Sequence, residues 1–272
     1  MRSKAPHPEN LKNVRIRWKE EGIPDRVVVI VIDRPAALNA LNIETLRELR
    51  AALEWTQTED EVACVVLTGG GEKAFIAGAD ISEMKDLTPT AAVQFSQTGQ
   101  EVTKLLELMS KPTIAAVHGF ALGGGTEMAI SCDFICASEK AVFGQPEVGL
   151  GVIPGFGGTI RLAKFVGFPR AKELIFSGRR VMADEALRIG LVNQVFPVEG
   201  FLTKVLEMAS QLTKNSGAAI GRAKALLNEF SESTGLGAKL DAEAHAFGML
   251  FESSDQREGM TAFVEKRKPQ FR

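Results

Sequence analysis

Two glutamates, Glu127 and Glu147, lie in a stretch, residues 119–158, that holds ten of the chain's 26 glycines. Paired carboxylates can divide acid–base work, one taking a proton while the other gives one. In His118-Gly-Phe-Ala-Leu-Gly-Gly-Gly-Thr-Glu127 a strand runs into glycines that open a helix. The first backbone N–H groups of such a helix lack intrahelical partners. Aided by the helix dipole, they can hold developing negative charge. Glu127 comes one turn after Gly124, so its carboxylate reaches the same side as those donors. Glu147 ends Phe143-Gly-Gln-Pro-Glu147, where Pro146 stiffens the approach. An acid among glycines and apolar residues should gain proton affinity through desolvation. Glutamates at helix starts and loop ends also serve as solvated or capping groups, and spacing alone does not choose between these readings.

Other chemistries find less support. Tyrosine is absent, which removes every mechanism that needs a phenol. None of the three histidines, His7, His118 and His245, stands beside a serine or cysteine nucleophile motif, and neither G-x-S-x-G nor H-E-x-x-H occurs. No Walker A loop is present, and Gly69-Gly70-Gly71 lacks the dinucleotide-binding spacing. Cys64, Cys132 and Cys136 are too few for a disulfide framework and have no neighbouring histidine, so they read as small buried hydrophobes and no metal site is expected.

The elements that must position the glutamates follow an α/β alternation. The β-branched run Val27 to Ile32 reads as a buried strand, stopped by Asp33-Arg34-Pro35. Glu44 to Trp55 is an amphipathic helix with Leu46, Leu49 and Leu53 at helical spacing and Asn42 as its cap. A strand at Val62 to Thr68 is followed by a long helix after Pro89, a strand at Thr113 to Val117, a short helix from Gly124 to Ser131 and a strand at Asp133 to Ala137. This order predicts an α/β fold with right-handed crossovers. From about residue 160 the pattern becomes almost wholly helical, with helices at Phe201 to Leu212, Ala218 to Phe230, Ala238 to Phe251 and Gln256 to Lys266. The expected division is a loose arm at 1–12, a core at 13–199 and a helical region at 200–272.

With 45% hydrophobic and 24% charged residues and a net charge of −2, the 272-residue chain has a soluble, globular composition. Near-zero net charge argues against nucleic-acid or anionic-membrane partners. The longest aliphatic run is too short to span a bilayer and the N-terminus lacks a signal-peptide pattern, so a cytoplasmic protein is expected.

Several ordered stretches resemble the crotonase, or enoyl-CoA hydratase, superfamily. They are Pro35-Ala-Ala-Leu-Asn-Ala-Leu41, Phe75-Ile-Ala-Gly-Ala-Asp-Ile81, Pro112-Thr-Ile-Ala-Ala-Val-His-Gly119, Ala121-Leu-Gly-Gly-Gly-Thr-Glu127, Phe143-Gly-Gln-Pro-Glu147 and Ile153-Pro-Gly-Phe-Gly-Gly-Thr159. The ending Asp255-Gln-Arg-Glu-Gly-Met-Thr-Ala-Phe-Val-Glu-Lys-Arg-Lys-Pro269 is similar too, so the resemblance covers nearly the whole chain from residue 14. It implies an α/β spiral of ββα units forming two sheets, and a C-terminal helical region that builds a homotrimer, often a dimer of trimers. It also implies an acyl-CoA substrate and no separate cofactor, because coenzyme A is part of that substrate.

By the same resemblance, the backbone N–H groups of Ala79 and Gly124 form an oxyanion hole for the thioester carbonyl. Glu127 holds and deprotonates water, and Glu147 supplies the C2 proton, as in hydration of a short trans-2-enoyl-CoA. Ala37, Leu38, Ala77, Asp80, Ile81, Pro146 and Gly155 are the implied CoA and substrate contacts, with Phe263 and Lys266 reaching in from a neighbouring subunit. Ala36 and Ser82 stand where close relatives often carry lysine near the CoA phosphates, which weakens phosphate attraction. Two alternatives keep the enzyme: a branched or dicarboxylic substrate such as 3-methylglutaconyl-CoA, decided by the loop Met84 to Thr90, or double-bond isomerisation. A third, RNA binding, needs a basic helical face, whereas Glu44 to Trp55 and the following Glu59-Asp60-Glu61 are mixed to acidic.

Overall fold

Six consecutive β-branched residues, Val27–Ile32, can be buried throughout only in a central strand covered on both faces. The computed structural model, which describes residues 5–229 and 235–271, shows this arrangement. β1 (Val14–Arg17) pairs antiparallel with β2 (Val27–Ile32), and all six β2 side chains are buried. α1 (Ile43–Thr58) follows, with Asn42 capping it as expected: Oδ1 accepts from Thr45 N at 2.9 Å. Leu46, Leu49 and Leu53 form its buried stripe.

Three strand–strand–helix units come next. The first is β3 (Cys64–Gly69), β4 (Ala74–Ile76), α2 (Ile81–Met84) and α3 (Pro89–Leu108). The second is β5 (Thr113–Val117), β6 (Phe120–Leu122) and α4 (Gly124–Ala129). The third is β7 (Phe134–Ser138), β8 (Val142–Gly144), α5 (Gly158–Val166) and α6 (Phe168–Ser177). The first strand of each unit enters a six-stranded sheet and the second enters a four-stranded one. The chain thereby winds as the expected spiral. The order of the larger sheet is β1-β2-β3-β5-β7-β10, parallel except at β1.

Two expectations need correcting. The strand at Thr113 to Val117 does not run directly into the glycine turn, because β6 lies between them. The stretch after residue 160 is not wholly helical either: β9 (Val181–Met182) pairs antiparallel with β8, and β10 (Gln194–Phe196), beyond α7 (Ala183–Arg188), completes the larger sheet beside β7. Strands of two or three residues are too short to show a period of two.

The larger sheet is covered on both sides. Val28, Ile30 and Ile32 join the main core, while Val27, Val29 and Val31 meet Phe201, Val205, Leu206 and Ala209 of α8 (Phe201–Leu212). α8, although it lies beyond residue 199, is therefore an outer layer of the core. α9 (Gly217–Glu229), α10 (Leu236–Leu250) and α11 (Ser254–Val264) bury far less, and Leu227, Leu236, Phe247 and Phe263 stay exposed. Phe230, the expected end of one helix, lies outside the described residues. α9 is tied down by Lys224, whose Nζ donates to Asp133 Oδ2 at 2.8 Å and to the carbonyls of Leu106 and Lys111. Residues 5–12 lie along α1: Ala5 N donates to Thr58 Oγ1, His7 sets its ring edge-on to Trp55 at 4.6 Å, and Lys12 N donates to Glu48. No described helix is long and apolar enough to cross a membrane.

Candidate active site

The smaller sheet brings the three glycine-rich segments together. β4, β6 and β8 are parallel neighbours, with Ile76 opposite Ala121 and Leu122 opposite Gly144. Their C-terminal ends are thus spaced by the roughly 4.8 Å that separates hydrogen-bonded strands. The residues that leave those ends are Ala77 to Asp80, Gly123 to Glu127 and Gln145 to Glu147. A crevice at the carboxyl ends of parallel strands is where α/β folds commonly bind ligands.

Ala77 to Asp80 is stitched to the loop before α1. Ala77 N donates to Leu38 O at 3.0 Å, Leu41 N to Gly78 O at 2.8 Å and Asp80 N to Leu41 O at 2.9 Å. The expected contacts Ala37, Leu38, Ala77, Asp80 and Ile81 therefore share one ledge. This pairing leaves the Ala79 N–H without an acceptor among the described residues, and the same holds for the Gly124 N–H at the start of α4. Gly78 crosses β6 closely: a Cβ on it would stand 3.3 Å from Leu122 O. Gly123 turns the chain into α4 with φ 50° and ψ −120°, a region open to glycine. Arg34, which the sequence reading did not single out, ties the ledge together by pairing with Asp80 at 3.1 Å and donating to Ala40 O. Ser82 donates its hydroxyl to Asp80 Oδ1 at 2.6 Å.

Glu127 is 2% exposed, and its Oε1 accepts from Phe156 N at 2.8 Å and Gly158 N at 2.7 Å. Burial raises its proton affinity, and these two amides oppose the rise by favouring the anion. The loop that supplies them turns its carbonyls the other way. Gly155 O accepts from Ser96 Oγ at 2.6 Å and Gln100 Nε2 at 3.0 Å; Phe156 O accepts from Thr103 Oγ1 at 3.1 Å and Arg161 Nη1 at 3.0 Å. Ser96, Gly99, Gln100 and Thr103 form one face of α3, at the spacing that faces a single partner. Their polar and small character is the signal in the sequence for this clamp.

Glu147 opens a short 3₁₀ turn after Pro146. Burial pushes its carboxyl up to about 7, and the charge of Glu127 adds to the rise. Gln145, fully buried and also missed from sequence, aims its amide at Glu147; with nitrogen as donor the bonds are 2.7 and 3.0 Å to Oε1 and Oε2. The bare glycines matter for this close approach. A Cβ on Gly123 would lie 3.0 Å from Glu147 Oε1, and one on Gly158 would lie 3.0 Å from Glu127 Oε1. Phe263 and Lys266 are exposed at the end of α11 and form no hydrogen bond with these segments among the described residues.

Gly125 presses α4 onto β4 so closely that a Cβ there would sit 1.9 Å from Ile76 O. Because that neighbour is backbone, Gly125→Ala is expected to cost at least about 1–3 kcal/mol, the ordinary penalty of overpacking, and to weaken activity by moving the Gly124 amide. Urea unfolding and steady-state rates would register both effects.

Comparison with known proteins agrees with this architecture. The family model described as enoyl-CoA hydratase/isomerase matches residues 22–272. The chain is 49% identical to a short-chain-enoyl-CoA hydratase of Clostridium acetobutylicum over 89% of its length and 93% of the relative's. It is 47% identical to a crotonyl-CoA hydratase of Syntrophomonas wolfei, over 91% and 95%. The crystal structure of an enoyl-CoA hydratase from Bacillus anthracis superposes with a TM-score of 0.90 at 36% identity, covering 96% of this chain and 99% of the other. Matched over this much of its length in sequence and in fold, the chain belongs to the enoyl-CoA hydratase/isomerase family.

Proposed function

We propose that the protein is an enoyl-CoA hydratase that adds water across the 2,3-double bond of a short trans-2-enoyl-CoA. The observation that carries this reading is the meeting of a buried and a half-buried carboxylate, both raised in proton affinity by desolvation but only Glu127 held by two backbone amides that favour its anion, beside the Ala79 and Gly124 N–H groups, which have no acceptor among the described residues. The thioester oxygen would accept from Ala79 N–H and Gly124 N–H, which stabilise the enolate that forms when water oxygen bonds to C3. Donors of this kind are each worth about 3 kcal/mol in other oxyanion holes. Glu127, whose anion is held by two amides, suits the base that takes the water proton. Glu147, which keeps a proton up to about pH 7, suits the acid that delivers one to C2. One proton is taken and one given, so the site ends with its charge redistributed between the pair and resets through solvent.

The reaction so written calls on no separate cofactor, coenzyme A being part of the substrate. Two carboxylates suit hydration, which needs water activated and C2 protonated at once, whereas a single shuttling group is enough to move a double bond. The exposed apolar residues of α9 to α11 support contact with further copies of the chain, and the family pattern would make that assembly a homotrimer or a pair of trimers, with Phe263 and Lys266 available to a neighbour's CoA. Loss of the conjugated-thioester absorbance of crotonyl-CoA tests the activity; no decay at high enzyme concentration overturns it.

A pH profile tests the assignment of the acid. Since Glu147 must be protonated to donate, kcat/KM should fall as pH rises through about 7. The Gln145 amide bonds most strongly to the Glu147 anion, so Gln145→Leu removes a stabiliser of the charged form. That variant is expected to move the alkaline limb up by about one pH unit.

A further inference from the structure

Resting on the acyl-CoA reading, we propose that Phe156, seated in a notch at Gly99 of α3, is the wall that limits this site to short acyl chains. The ring is buried and fills the gap between α4 and α3. On one side, a Cβ on Gly124 would stand 3.1 Å from Phe156 Cε2; on the other, a Cβ on Gly99 would stand 2.2 Å from Cδ1. Phe95 backs the ring from the same helix, with centroids 5.5 Å apart. Glycine is a poor helix former, yet Gly99 sits in the interior of α3 where any side chain would collide with this ring. The notch and the ring fit as a pair.

The position of the wall relative to the reacting atoms follows from the hydrogen bonds. The thioester oxygen belongs at Gly124 N–H, and the water that attacks C3 belongs at Glu127. Phe156 supplies both neighbours: its ring lies against Gly124, and its own N–H holds Glu127 Oε1 at 2.8 Å. Carbons beyond C3 therefore leave the reacting centre beside the ring. The wall is also fixed, because its carbonyl is held by Thr103 and Arg161 and the preceding one by Ser96 and Gln100. Swinging the ring aside would break contacts with α3. This places the limit on chain length in the loop after Pro154, whereas the sequence pointed to the loop from Met84 to Thr90.

The test is kcat/KM for trans-2-enoyl-CoAs of increasing length, from crotonyl through hexenoyl and octenoyl to decenoyl, with the wild type, Phe156→Ala and Phe156→Leu. The wild-type rate should fall steeply with length. Phe156→Ala should raise the octenoyl-to-crotonyl ratio at least tenfold, on the order of what one or two methylenes are worth in an apolar pocket. Phe156→Leu should move the ratio the same way by less, and it decides the matter alone if the alanine variant does not fold. A wild type that hydrates decenoyl-CoA as well as crotonyl-CoA overturns the wall. So does an equal loss at all lengths in both variants, which would make Phe156 a support for Glu127 only. Wild-type protein inactive on every member of the series would instead overturn the acyl-CoA reading itself.

Discussion

Glu127→Gln is expected to lower kcat for crotonyl-CoA hydration by roughly 10²- to 10⁴-fold, the usual contribution of a positioned acid or base. The fold should survive, because the amide oxygen of glutamine can still accept from Phe156 N and Gly158 N. What is lost is the second oxygen, replaced by an NH₂ group that cannot take a proton from water. Glu127→Ala is a different experiment: it strands two buried N–H groups, at about 1–3 kcal/mol each, and mixes a folding defect into the kinetics. A Gln variant with near wild-type turnover, at unchanged circular dichroism, would remove Glu127 from the mechanism.

The largest expected loss of stability comes from Lys224, far from the two glutamates in sequence and function. Its side chain is 7% exposed and satisfied by three acceptors, including Asp133. Lys224→Ala leaves the Asp133 carboxylate, 20% exposed, with its bonds from Thr113 as the remaining ones among the described residues. Removing one partner of a buried pair costs about 3 kcal/mol or more. The urea midpoint should drop accordingly at fixed protein concentration, since self-association would also shift it. The exposed pair Arg50–Glu54 offers the contrast: its loss should cost under about 1 kcal/mol, and equal effects at the two sites would show that Lys224 is not the anchor of α9.

How far the sequence could be read depended on the length of each element. β2 and α1 are long enough for their patterns to show, and the Asn42 cap could be read from residue type alone. The second strands of the three units are three residues each, so no periodicity marks them, yet their shared edge is what aligns Ala79, Gly124 and Glu147. Glu127 and Glu147 were visible as carboxylates among glycines, but the depth of each and the amides that hold Glu127 were not. Gln145 was hidden because a lone glutamine between Gly144 and Pro146 has no pattern; its role exists only once the chain folds back on Glu147. Phe156 read as one aromatic in a glycine loop, since the notch that receives it lies on a helix 57 positions earlier, at Gly99.

The amides at Ala79 and Gly124 belong to the main chain, and this has a consequence for how the gene can fail or change. No codon change at those positions, short of proline, deletes an N–H, so the thioester polarisation proposed for them would be shielded from most point mutations that leave the backbone path intact. The proposed acid and base are single side chains, each open to replacement by one nucleotide change. Random mutagenesis screened for lost hydration should therefore enrich substitutions at Glu127 and Glu147, and around the amides only those, such as bulkier residues at Gly123 or Gly125, that displace the backbone. On the proposed reading, a scaffold built this way could discard one reaction and acquire another while its main-chain donors still held the same activated ester.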